Sequence, residues 1–247
     1  MDMKKTIITS AIASVALLAG SNAQAQGFYI YGEGAHTDIS SSAVENEIRL
    51  MDREGRAGTE EFNEVLDQFG LTADLEYTSS FSSDDSGTTF GVGVGYQVND
   101  NVAIEFAYRD LGDASYKNSF QVTGTEASGT GTRELGYESK AFILRGVGIL
   151  PVTDRLSLEA MLGVAHVDTD YKGSEVVSGQ GFLDNTSVRE SDSGRGFSAT
   201  YGVGASFAVT DTLTTFARWE RIHDIDTENL ADGIEADTFS AGIRYHF

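Results

Sequence analysis

Eight stretches of the chain alternate apolar and polar residues with a period of two, the signature of a strand with two unlike faces. They are Gly27–His36, Thr88–Gln97, Val102–Leu111, Ser139–Leu150, Leu156–Val167, Gly196–Ala208, Thr212–Ile222 and Thr238–Phe247. One parity is apolar throughout: Phe90, Val92, Val94 and Tyr96; Val102, Ile104, Phe106 and Tyr108; Leu156, Leu158, Ala160, Leu162 and Val164; Phe197, Ala199, Tyr201, Val203, Ala205 and Phe207. The other is small and polar, as in Thr89, Gly91, Gly93 and Gly95, or Ser198, Thr200, Gly202, Gly204 and Ser206. A tilted strand needs about 9–11 residues to cross a bilayer, and these stretches have that length. The connections alternate too. Val98–Asn101, Pro151–Arg155 and Val209–Asp211 are short, and two of them read Val-Thr-Asp, which is turn chemistry. Segments 37–87, 112–138, 168–195 and 223–237 are long and rich in Gly, Ser, Thr, Asp and Glu. The pattern predicts an all-β protein: an eight-stranded antiparallel up-and-down transmembrane β-barrel with short periplasmic turns and long extracellular loops. A soluble sandwich would carry polar outward faces and would not need this regular short-long rhythm.

The first long loop, 37–87, holds 13 Asp and Glu against three Arg. Ser42-Ala43-Val44-Glu45 reads as a capping box, with Val44, Ile48 and Met51 following at helical spacing. Thr59-Glu60-Glu61 reads as a second start, with Phe62, Val65, Leu66 and Phe69 on one face and Gly70 as a stop. Two short helices are expected, packed on each other or on the barrel rim, or else forming a cap over the mouth or a surface that docks a partner or a hydrophobic ligand.

Both chain ends fit export to the outer membrane. Lys4 and Lys5, the apolar stretch Thr6 to Leu18 and Ala23-Gln24-Ala25 form a signal peptide over 1–25, too short in its apolar run to span. The mature barrel is then expected over 26–247. The last eight residues, Ser240 to Phe247, alternate to an aromatic terminus. Among them Gly242, Tyr245 and Phe247 resemble the C-terminal signal that barrel assembly machinery reads.

Gly95-Tyr96-Gln97-Val98-Asn99-Asp100-Asn101-Val102-Ala103-Ile104-Glu105, continuing to Arg109-Asp110-Leu111-Gly112, is similar to the second hairpin of the OmpA family's transmembrane barrel. Pro151-Val152-Thr153-Asp154-Arg155-Leu156 resembles that family's middle periplasmic turn. The resemblance covers strands and turns but not the long loops. It implies a small outer-membrane barrel of a Gram-negative bacterium. With the chain ending at the barrel, the family's separate peptidoglycan-binding domain, and the role it serves, are not expected.

The polar parity also carries charge. Glu33, Glu105, Arg109, Arg145, Glu159, Arg218, Glu220 and Arg244 all fall on it, four carboxylates and four guanidiniums. An eight-stranded barrel is just wide enough for side chains to fill, so a packed ionic core is expected, and buried charges demand partners. The resemblance places Glu105, Arg145, Arg218 and Glu220 in a family network that can exchange partners as a narrow gate, which keeps a porin-like channel as the alternative. Ser206 departs from the acidic residue that the family pattern would put on the sixth strand.

Composition narrows the functions. The net charge of −21 argues against nucleic acid, whose phosphates require cationic surface. No cysteine means no disulfide or thiolate chemistry. Asp224, Asp226, Glu228, Asp232 and Glu235 mimic the spacing of a calcium loop, but Asn229 stands where the turn glycine belongs. Loose collection of divalent cations, which bridge to lipopolysaccharide phosphates, is favoured over a specific site. His36, His166 and His223, each near an aspartate, fall near the outer ends of strands, where a rim metal site or plain interface residues would sit. No nucleophile-elbow or lipase-like signature occurs, so a lipid A-modifying enzyme with a Ser/His pair on the outer rim is the least favoured alternative. The expectation is a monomeric, cofactor-free, non-enzymatic barrel in contact with outer-membrane lipids and lipopolysaccharide. Its role would be envelope integrity, adhesion or ligand contact through acidic loops.

Overall fold

A computed structural model describes residues 27–84, 86–125, 127–181, 185–225 and 234–247; the signal peptide expected over 1–25 lies outside them. The chain forms β1 (Phe28–Ser41), α1 (Ser42–Gln68), β2 (Glu76–Asp84), β3 (Ser86–Asn99), β4 (Val102–Thr123), β5 (Ala127–Pro151), β6 (Leu156–Gly181), β7 (Thr186–Ala208), β8 (Leu213–Ile225) and β9 (Ile234–His246). Every pairing is antiparallel. The ring runs β1-β3-β4-β5-β6-β7-β8-β9 and returns to β1, so it has eight positions. The ninth strand, β2, pairs with β4 above the point where β3 ends and extends the second position upward. Closure leaves no membrane-embedded sheet edge, which lipid would not tolerate.

The short turns obey one local rule. In the two Val-Thr-Asp turns the valine amide donates to a carbonyl four residues on (Val152 to Leu156 and Val209 to Leu213, both 2.8 Å). The threonine hydroxyl accepts from the amide three residues on (Leu156 and Leu213, both 3.0 Å).

The outward parity is apolar, with Ile104, Phe106, Leu144, Leu158, Leu162, Val164 and Val203 exposed. The upper limit of this lipid face is legible in the register. Tyr108, Phe142, His166 and Phe197 lie side by side on four neighbouring strands, and a second outward row, Trp219, Phe239 and His36, lies on β8, β9 and β1, with Trp219 beside Val203 of β7. Two residues higher on the same face, Asp110, Lys140, Asp168 and Arg195 form a row of alternating charge. Aromatic rings below and charges above mark the boundary between hydrocarbon and headgroups. The lower girdle includes Phe28 against Tyr96 (4.8 Å between ring centres) and Tyr245 against Phe247 (5.3 Å).

Above that boundary the structure departs from the expected loops. Most of 112–138 and 168–195 is strand, and the β4–β5 and β5–β6 ladders continue to Val122↔Gly129 and Ala127↔Gly181. The barrel therefore rises on one side into a wall of β2, β4, β5, β6 and β7. Water replaces lipid on its outer surface, so no apolar parity is needed there, and the Ser, Thr and Gly content reads as loop. A bulge at Gly112 (φ +86°) also shifts the β4 register, so the lumen side passes from odd residues (Arg109, Leu111) to even ones (Ala114, Tyr116, Asn118).

The first loop holds one helix instead of two. Thr59 does not start a new one; its hydroxyl donates to the Gly55 carbonyl one turn back (2.8 Å), inside the continuous α1. Gly70 (φ +70°) follows the end of α1, as expected. α1 packs on the lumen side of the wall. Asn63 exchanges two hydrogen bonds with the Leu75 backbone (2.8 and 3.0 Å), Tyr77 donates to Asp52 (3.1 Å), and Arg133 donates to the Met51 carbonyl (3.4 Å). Burial and the adjacent Asp52 carboxylate push the Tyr77 phenol up to about 12 from its ordinary 10.0. The fold thus favours the protonated phenol, and its contribution is complete below pH 10 and is lost as the pH rises towards 12. The helical circular-dichroism signal of α1 is expected to fall across that window and to stay level there in Tyr77→Phe. An equal loss in the variant would show that another group titrates.

Candidate functional site

The lumen side of the barrel brings all eight predicted charged residues into one connected chain. Arg109 on β4 donates to Glu33 on β1 (2.6 Å) and to Glu220 on β8 (2.5 Å). Glu220 also accepts from Arg145 on β5, which reaches Glu105 on β4 (2.8 Å). Glu105 accepts from Arg218 on β8 (2.8 Å), which also holds Glu159 on β6 (2.8 Å), and Glu159 accepts from Arg244 on β9 (3.1 Å). The order is therefore Glu33, Arg109, Glu220, Arg145, Glu105, Arg218, Glu159, Arg244, with charge alternating at every step, and Arg244 turns back to Glu105 (3.4 Å). All eight are buried. The bidentate guanidinium is suited to this, since one Arg can bridge two carboxylates in fixed geometry.

Residues that sequence reasoning did not single out complete the shell. Tyr29 donates to Glu105 (2.8 Å), Arg145 donates to the Tyr31 hydroxyl (3.0 Å), Thr200 donates to Glu220 (2.9 Å) and Ser240 donates to Glu33 (3.0 Å). Arg218 lies over the Phe216 ring at 4.4 Å and Arg244 over Tyr29 at 4.7 Å. The signal that could have found the tyrosines is the glycine run opposite them. A Cβ on Gly91, Gly93 or Gly95 would stand 2.7 Å from Glu33, 2.4 Å from Tyr31 and 2.2 Å from Tyr29, respectively. β3 presents bare backbone so that three large β1 side chains can lie across it.

The chain of charges is enclosed from both sides. Above it Thr37 bonds Thr89 (3.1 Å) and Thr238 (3.2 Å), and Ser139 bonds Thr169 (3.0 Å). Around and above these hydroxyls lie Ile39, Leu111, Val167, Ile222 and Ala236, all buried. Towards the short-turn end lie Tyr29, Ala103, Val147, Met161 and Phe216, with Met161 one inward position above Glu159 on β6. Four positive and four negative groups balance, and each is held by opposite partners.

The remaining candidates are placed as follows. Gly242 faces inward, where a Cβ would stand 2.5 Å from the Phe216 ring, so it has a packing reason beyond any signal. Tyr245 and Phe247 face outward in the lower girdle, and the Phe247 amide donates to the Phe28 carbonyl (3.1 Å). Of the calcium candidates, Asp226, Glu228 and Asp232 lie outside the described residues, as does the side chain of Asp224. Glu235 is engaged by His223 (2.7 Å) and Arg221 (3.5 Å). The three rim histidines go separate ways: His36 to Asp38 (3.5 Å), His223 to Glu235, and His166 onto Phe197 (4.7 Å between ring centres). Among the described residues, no three His, Asp or Glu side chains gather as a metal site.

A closed eight-position ring, apolar outside and ionically paired within, with short turns at one end and a raised wall at the other, defines a small outer-membrane β-barrel. A family model described as the OmpA-like transmembrane domain matches residues 54–247, and the chain belongs to that family. Outer membrane protein A of Klebsiella pneumoniae is 28% identical over 155 residues, which are 62% of this chain and 39% of that protein. The chain thus matches well under half the length of that relative. Solved structures similar to it include Neisserial surface protein A, at 15% identity and a TM-score of 0.46, covering 90% of this chain and 97% of that one. The attachment invasion locus protein Ail of Yersinia pestis follows at 14% and 0.43, covering 90% and 99%. OprG of Pseudomonas aeruginosa stands at 15% and 0.42, covering 90% and 96%. The protein resides in the outer membrane of a Gram-negative bacterium and serves a general outer-membrane role.

Proposed function

We propose that this protein is a non-catalytic surface-interaction barrel, in which a rigid, internally neutral cylinder displays an acidic wall outside the cell. One observation carries the reading: charge is partitioned by side. Segments 37–87, 112–138, 168–195 and 223–237 hold 29 of the 38 Asp and Glu but 8 of the 17 Lys and Arg, and the rest of the chain balances nine against nine. Such a surface repels anionic polymers and gathers cations, and divalent ions held there bridge to the phosphates of neighbouring lipopolysaccharide. Adhesion or ligand contact would then occur at the wall, and envelope integrity would come from the lipid belt.

The test is a variant in which the wall portions of 112–138 and 168–195 are replaced by short turns. The barrel is expected to fold and insert, while surface attachment of the expressing cells falls. Unchanged attachment would overturn the reading. Support for the alternative, a narrow channel, is weaker, because the hydroxyl and apolar layers fill the lumen above the ionic chain. Planar-bilayer recordings are expected to show no stable single-channel steps, and reproducible steps would favour the channel.

A further inference from the structure

The wall has an open side. β6 and β7 pair up to Val177↔Thr186, but β7 and β8 pair only as far as Ala199↔His223. Residues 186–196 of β7 therefore have β6 on one side and no strand on the other among the described residues. Residues 186–193 are all exposed. At about 3.3 Å per residue the open edge is about 36 Å long, ample for a partner strand of about 5–6 residues. Natural sheets blunt such edges with proline, with charged side chains, lysine above all, or with a bulge. Residues 186–196 contain neither Pro nor Lys and pair with β6 without a register shift, and their charges, Arg189, Glu190, Asp192 and Arg195, bar an uncharged or like-charged strand while admitting one of complementary charge. The Ser193 amide donates to the Asp192 carboxylate (2.8 Å), and the rest of the row of edge amides and carbonyls is left available to another chain.

The side chains specify which chain. Even residues of β7 share the lumen parity of Ser198 and Thr200, which puts Glu190 and Asp192 on the lumen side. Odd residues place Arg189 and Arg195 on the outer side, where Asp168 already holds Arg195 (2.6 Å). Glu190 and Asp192 stand opposite Gly173 and Tyr171, and neither has an ion pair among the described residues. A strand added beside β7 would meet two unneutralised carboxylates two residues apart on one face.

Building on the surface-interaction reading, we propose that the 186–196 edge is a strand-addition site for an extended peptide segment bearing two basic residues two positions apart. Backbone pairing supplies the affinity, and Glu190 and Asp192 set the register by pairing across strands with the two cations. The test uses the full chain in lipid nanodiscs and three labelled peptides. The first, Thr-Lys-Val-Lys-Val-Thr, puts both lysines on one face. The second, Thr-Lys-Val-Val-Lys-Thr, has the same composition but puts them on opposite faces. The third is the first with alternate amides N-methylated. The first is expected to bind about tenfold tighter than the second, from two cross-strand ion pairs. The third should not bind. The double variant Glu190→Lys with Asp192→Lys, both exposed positions, should lose the lysine peptide and take up its glutamate counterpart. Equal binding of the N-methylated peptide, or indifference to the charge swap, overturns the proposal. A change in particle mass without peptide would also overturn it, by showing the edge already taken by a second copy. Attachment that is lost on wall replacement but survives the charge swap would sink this site and leave the surface role standing.

Discussion

Arg218→Ala is expected to lower the stability of the folded barrel by about 3–5 kcal/mol, the usual cost of stripping one partner from a buried ion pair. Arg218 sits in the middle of the charge chain. It donates to both oxygens of Glu105 (2.9 and 2.8 Å) and twice to Glu159 (3.0 and 2.8 Å). Without it Glu159 keeps only Arg244, and the Phe216 ring loses the nearer of its two cations, with Arg244 left at 5.5 Å. The cost comes from the carboxylates left behind, more than from the lost attraction. Adding Glu159→Gln to Arg218→Ala should therefore recover part of the loss, because one stranded charge is removed. Equilibrium urea unfolding in lipid vesicles measures both variants. If Arg218→Ala leaves the midpoint where it is, the guanidinium is not a buried partner. If the second substitution deepens the loss additively, the two residues do not communicate.

Gly95→Val should be as damaging for a different reason. A Cβ at this position would lie 2.2 Å from the Tyr29 ring, well inside contact, and β3 is locked between β1 and β4 and has little room to move. Overpacking of this kind costs about 1–3 kcal/mol when neighbours yield, and more when they do not. Here Tyr29 would have to leave Glu105, so steric and ionic losses combine. The expected result is a barrel that refolds poorly, read as loss of the compact band in unheated gel electrophoresis. Tyr29→Ala in the same chain should restore part of the folded fraction. Failure of that rescue would place the clash elsewhere.

These two cases also show where the sequence was readable. Within the bilayer the solvent imposes a rule: every second residue must be apolar, and what alternates with it must be small or paired. That rule located the ring positions, the short turns and all eight members of the charge chain. It could not order the chain. Which Arg meets which Glu depends on strand stagger around the ring, and Glu33 reaches Arg109 across β3 only because Gly91 is bare. Outside the bilayer the rule lapses. The wall strands carry Ser, Thr and Gly on a surface wet outside, so 112–138 and 168–195 read as loops. Gly112 then inverts the parity of β4, so even a correct strand prediction extended upward would have assigned the wrong face. In α1, Thr59-Glu60-Glu61 reads as a fresh helix start, whereas the helix runs unbroken through Gly55, which lies against the Tyr77 ring, to which a Cβ would stand at 3.0 Å. That is a tertiary reason no local pattern contains.

The order of the charge chain bears on how the cylinder is built. Its links join β1 to β4, β4 to β8, β8 to β5 and β6 to β9, so nearly every one spans strands far apart in synthesis. Glu33 and Arg244, the first and last members of the network along the chain, belong to β1 and β9, the strands that meet at the closing seam. An unfinished sheet would hold stranded charges facing hydrocarbon, and those charges find all their counterparts only when the last strand docks on the first. Completion is thereby made nearly all-or-none: partial cylinders are penalised in the bilayer, and the finished one is electrically silent within.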